Sequence, residues 1–135
     1  MIQSVGSPYQ GTALAGNLAS LGNVFGAGCG YQVDLTYNGA STWLSQIPNW
    51  ARGEVYYYTT SFRYTHWWAN DYCHFATDLA LSDPEDGTTE VAYGQLPGGH
   101  NQGNTVGQCH TNNMRDPGQT QDSTRNGQMN AMAQF

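Results

Sequence analysis

The chemistry most open to this chain on residue type alone is metal binding. Four histidines and three cysteines are present, and two of the cysteines stand in the same dipeptide, Cys73-His74 and Cys109-His110, with His66 and His100 near them in sequence. Thiolate and imidazole suit zinc. The short ligand gaps of a structural zinc site are missing, however, and neighbouring residues on a strand point to opposite faces. These residues are therefore expected in the core or on the surface, with no metal and no cofactor. The acidic turn Asp83-Pro84-Glu85-Asp86-Gly87 carries oxygens of the kind calcium takes, but it lacks the alternating ligand positions and distal glutamate of an EF-hand loop. Glycoside hydrolysis needs two carboxyls at a set separation, and Glu54, Glu85, Glu90 and the aspartates offer the type without a spacing that marks a pair. The four basic residues are Arg52, Arg63, Arg115 and Arg125, so no lysine is available for a Schiff base. No nucleophile elbow, phosphate loop or dinucleotide fingerprint occurs. The expectation is no catalytic residue and no enzyme.

The aromatic residues are more telling. Trp43, Trp50, Tyr56, Tyr57, Tyr58, Tyr64, Trp67, Trp68 and Tyr72 exceed what a small core can fully bury. Each of these side chains joins an apolar face to a polar tip, which suits protein interfaces and sugar-stacking platforms alike. Adjacent pairs such as Tyr56-Tyr57 and Trp67-Trp68 must place one ring on each face of a strand. Trp43, Trp50, Tyr57, Trp67 and Trp68 are accordingly the candidate interface residues, with Met114, Met129, Met132 and Phe135 as adaptable anchors in the tail.

The elements that must hold these residues follow from length and charge. At 135 residues the chain is one domain's worth, able to build a core without staples. Residues 1–30 carry no charged side chain and read as a Gly-rich arm. Residues 31–97 hold eight of the ten acids, two arginines and 14 of the 17 aromatics, hence the entire net charge of −6. They read as an acidic β domain. Residues 98–135 are an amide-rich, neutral arm. Within the middle part, Glu54 to Trp68 is almost wholly β-branched or aromatic and predicts a long or bent strand, its even-numbered face inward. Tyr72 to Leu81 predicts a strand forming a hairpin with it, and Thr88 to Gly94 a third strand after the Ser82–Gly87 turn. Tyr31 to Tyr37 alternates with period two and predicts another strand. Ser41 can cap one short helix through Trp43, Leu44 and Ile47 that Pro48 limits. Leu14, Leu18, Leu21 and Phe25 form a helical stripe interrupted by Gly16 and Gly22, which fits a helix or an extended arm equally.

Together these readings predict an all-β fold, a β-sandwich or jelly-roll-like domain with one short helix and extended N- and C-terminal arms. The polar tail buries too little apolar area to order itself, so either neighbouring subunits hold it or it folds back on its own domain. Few charges, many amides and aromatics, no lysine and long arms resemble, in general character, the small decoration, cement or fibre proteins of tailed-phage particles. That likeness implies a structural virion subunit that stabilises the particle by contacts with copies of itself or with a major capsid or other virion protein. The rival reading is a carbohydrate-binding β-sandwich that uses exposed tryptophans on surface glycans. A net charge of −6 argues against nucleic acid. No stretch is apolar enough to span a membrane, and Met1-Ile2-Gln3-Ser4 lacks the start of a signal peptide. Three cysteines cannot all pair in one chain, and they read as reduced thiols of a virion protein made in a host cytoplasm.

Overall fold

The run Val55–Ser61 (VYYYTTS) has the residues of a pleated surface and becomes the middle strand of a three-stranded sheet. A computed structural model of the chain describes residues 1–15, 33–63, 81–110 and 117–134. The sheet order is β1 (Ile2–Val5), β2 (Val55–Ser61) and β3 (His100–Val106). Both pairings are parallel. Ile2 lies opposite Val55 and Val5 opposite Tyr58; on the other side Tyr56 faces His100 and Ser61 faces Val106, with a register shift between Tyr57 and Thr59. Parallel neighbours need crossover connections. The first includes a 3-10 turn (Val33–Leu35), helix α1 (Tyr37–Gln46) and the short helix α2 (Asn49–Arg52). Beyond β3 come a 3-10 turn (Gln119–Gln121) and helix α3 (Ser123–Ala133).

Every β2 residue except Tyr56 is buried: helix side chains reach the Val55–Tyr58 end on both faces, and the loop after Leu81 meets the Thr60 end. On one face Val55 and Tyr57 pack with Leu44 of α1 and with Leu96, and Tyr9 leans on this cluster. On the other, the Tyr58 hydroxyl points to Met132 Sδ of α3 at 3.7 Å, and Gln3 Nε2 of β1 donates to the Met129 carbonyl at 2.9 Å. The expected single inward face is therefore replaced by two.

This α/β architecture corrects the all-β sandwich or jelly roll, and each difference has a local cause. Of the strand expected over Tyr31–Tyr37, the described part is a 3-10 turn (Val33–Leu35) leading into α1, because Thr36 caps the helix by accepting from Gly39 N at 3.0 Å; residues 31–32 lie outside the described residues. The helix thus starts before Ser41; it ends at Gln46, with Ile47 extended before Pro48 as a helix limited by that proline should, and Pro48 also opens a second helix. The strand expected over Thr88–Gly94 is a chain of turns with one isolated bridge, Glu85 to Glu90, since acidic side chains rather than a neighbouring strand take its amides. The expected arms are also corrected. Ile2–Val5 and His100–Val106 are the two edge strands, and α3 packs on the sheet. The polar C-terminal segment is ordered by backbone pairing and by its amides, among them Asn104 Nδ2 to Ser61 Oγ at 3.1 Å and Gln108 Nε2 to Asp122 Oδ2 at 2.9 Å, rather than by apolar burial. The Leu18–Phe25 part of the helical stripe, residues 64–68 of the long strand and 72–80 of the hairpin lie outside the described residues.

Gly39 lets α1 approach the turn before it: a Cβ there would lie 1.9 Å from the Val33 carbonyl oxygen. Alanine gains about 1 kcal/mol of helix propensity, but such overlap typically costs about 1–3 kcal/mol. Gly39→Ala is expected to lower the urea unfolding midpoint, and a raised midpoint would show that the turn gives way without cost.

Candidate functional site

In open parallel sheets, ligands gather beyond the carboxyl ends of the strands. Here that region is filled by the loop following Leu81, and the filling is acidic. Glu85, Asp86 and Glu90 are 1%, 0% and 2% exposed. Buried carboxylates are costly unless hydrogen-bonded, and these are met donor by donor. Glu90 accepts from the Tyr37 hydroxyl at 2.6 Å and from Ser82 N at 2.7 Å. Glu85 accepts from Gly87 N. Asp86 Oδ1 accepts from Thr88 N at 3.1 Å and Thr89 N at 2.8 Å. Its Oδ2 takes the single hydrogen of Thr60 Oγ1 at 2.6 Å and lies 3.2 Å from His110 Nδ1. The acidic turn is thus a self-capped loop whose oxygens already have donors. No group of three or more His, Cys, Asp or Glu side chains among the described residues could hold a metal.

The loop is stitched to all three strand ends. Phe62 N, just after β2, donates to the Glu85 carbonyl at 2.8 Å, and His110 N, after β3, to the Asp86 carbonyl at 2.7 Å. Thr89 Oγ1 donates to the Gly6 carbonyl, after β1, at 2.9 Å. Gly6 adopts φ +61°, and a Cβ there would lie 2.2 Å from Gln119 Oε1 and 2.9 Å from Asp86 Oδ2. Burial pulls the His110 imidazole down, but the hydrogen bond and charge of Asp86, with a smaller contribution from Cys109, outweigh it and hold it above its ordinary value. Burial, then the hydrogen bond and charge of Glu90, push the Tyr37 phenol well above the usual range.

A second feature lies between α1 and the segment after β1. Ser7, Pro8, Tyr9, Asp34, Leu35, Ala40 and Trp43 line a cavity of about 330 Å³. Trp43 is 45% exposed and Trp50, on the next helix, 77%. Of the other candidate interface residues, Tyr57 is buried, edge-on to Tyr9 and donating to Gln95 Oε1 at 3.0 Å. Met129 and Met132 are half-buried on α3, which rests on its own sheet. Trp67, Trp68, Met114 and Phe135 lie outside the described residues. The cluster of Thr60, Asp86, His110 and Gln119 was not assembled from sequence. The Cys109-His110 dipeptide and the acidic turn marked two of its members, and nothing marked Gln119.

A small α/β domain with a filled carboxyl end and an open helical face is the class these features define. Residues 1–133 match the family described as the conditioned medium factor C-terminal domain, and the chain belongs to that family. It is 41% identical over 131 residues, 97% of its length, to a protein of Dictyostelium discoideum named conditioned medium factor, of which it spans 18%. No solved structure matches. Membership in a family represented in a eukaryote overturns the tailed-phage reading, and with it the capsid-decoration role and the virion location. The reading failed because low charge and abundant amides are not particular to shells, and because the segments taken for arms are parts of the domain's own sheet.

Two predictions follow from the loop. Tyr37→Phe removes a hydrogen bond to a buried carboxylate and is expected to cost about 1.5–3 kcal/mol in urea denaturation; no loss would mean that Glu90 finds another donor. Because folding raises the His110 imidazole from 6.5, its stabilisation is fully present below that value and is lost as pH rises through the higher folded value. As pH rises from 6.5 through the higher folded value, the wild-type chain should lose more stability than His110→Gln; parallel unfolding curves would refute the Asp86 pairing.

Proposed function

We propose that this chain is a recognition domain of an extracellular factor, binding a protein partner without catalysing a reaction. The relative's name describes a factor of conditioned medium, the fluid around cells, and that setting carries over as part of the proposal. The observation that carries recognition is the exposure of Trp43, which lines a cavity, and of Trp50 on the next helix. Large apolar side chains grouped in solvent mark interaction sites, and tryptophan is prominent among residues that dominate binding energy. The non-catalytic half rests on the buried carboxylates, whose oxygens serve the loop's own amides and the Tyr37 and Thr60 hydroxyls. The partner is a protein at the cell surface or a second copy of the chain, and the net charge of −6 sets it apart from nucleic acid.

A fluorescently labelled chain should bind Dictyostelium discoideum cells saturably and be displaced by unlabelled chain, with light scattering reporting self-association. The double substitution Trp43→Ser, Trp50→Ser should weaken binding by about 30-fold or more while changing stability by no more than about 0.5 kcal/mol. Non-saturable binding, or binding indifferent to both substitutions, would refute the proposal.

A further inference from the structure

We propose that the cavity beside Trp43 receives a basic side chain, arginine or lysine, from the partner protein; this rests on the recognition reading above. The cavity of about 330 Å³ is at the small end of ligand clefts, nearer to one long side chain than to a large cofactor. Its walls are of two kinds. Pro8, Tyr9, Leu35 and Ala40 offer apolar surface to a methylene stem, and Trp43 offers an indole to a cation.

Asp34 adds a carboxylate with no hydrogen bond or ion pair to any described residue. The described arginines are placed elsewhere. The Arg52 guanidinium donates to the carbonyls of Leu44, Ile47 and Pro97. Arg125 is buried on α3 with Gln108 and Asp122, and Arg63 lies against Gly107. The negative charge at this cavity is therefore unmet within the described chain, and the net charge of −6 attracts a cationic partner at longer range.

The walls are also held in place before anything binds. Tyr9 packs edge-on to Tyr57 with ring centroids 6.0 Å apart, Thr12 N donates to the Leu35 carbonyl at 2.9 Å, and Thr36 caps α1. Walls already ordered lower the entropic cost of binding.

The test is a titration of the isotopically labelled chain with N-acetyl-arginine amide, and with N-acetyl-citrulline amide as a control of nearly the same shape without the charge. The readout is the Trp43 indole N–H resonance, assigned with Trp43→Phe. The expected result is a saturable shift with arginine amide, weakened by roughly three- to tenfold with citrulline amide, in Asp34→Asn, and in about 1 M salt. No saturable shift, or an equal response to both amides, overturns the inference. If arginine amide fails while cells still bind the chain through Trp43 and Trp50, the basic side chain is refuted and recognition stands. If the chain binds arginine amide as expected but not cells, the cavity chemistry stands and the cellular role falls.

Discussion

Three carboxylates that no water can reach have to be met by donors from the protein, and most of this fold is arranged around meeting them. Glu85, Asp86 and Glu90 sit within six residues of one another, yet their donors come from the loop itself, α1, β2 and the segment after β3. A charge left without its partner in the interior costs several kcal/mol. The loop can therefore close only when Tyr37, Thr60 and His110 are in place, which ties elements far apart in sequence into one structure. Gly6 belongs to the same constraint, since its position leaves no room for a side chain beside Asp86 and Gln119.

This arrangement divides the molecule. The carboxyl end of a parallel sheet is where many α/β proteins place their chemistry, but here it is packed with an internal polar network that holds the strand ends together. Trp43 on α1 and Trp50 on α2 stay exposed, and Trp43 lines a cavity together with Asp34 of the preceding 3-10 turn. An inside committed to structure and an outside offering aromatic area and one unmet charge suit a domain that acts by being recognised. His110, beside both Asp86 and Gln119, is only partly covered, so its protonation responds to solvent pH.

Part of this was legible in the residues. The β-branched and aromatic run forms its strand at Val55–Ser61 and a short helix lies around Trp43 and Leu44, while the Ser82–Gly87 signals mark a bent segment with an isolated bridge at Glu85. Of the five interface candidates on aromatic side chains, Trp43 and Trp50 are exposed and Tyr57 is buried. The other two, Trp67 and Trp68, lie outside the described residues. Over Val33–Tyr37 the period-two pattern gives way to a 3-10 turn and a helix because the cap from Thr36 outweighs it. Of the two routes open to the polar tail, it takes the fold back on its own domain, held by the pairing of β3 with β2 and by amide hydrogen bonds to Ser61 and within the tail.

By itself the sequence determined composition-level facts: one domain's worth of chain, an acidic middle, a strand-forming segment, a turn at Pro84, and more aromatic residues than a core can hold. Only the tertiary structure decided that the sheet is parallel, that β2 is covered on both faces, that the acidic turn is interior, and that Asp86 meets His110. The physical reason is that local propensity acts between residues close in the chain. Strand direction, burial of charge and the choice of exposed ring depend on donors and surfaces brought together from positions 4 to 132, and no period or motif in one dimension records those meetings.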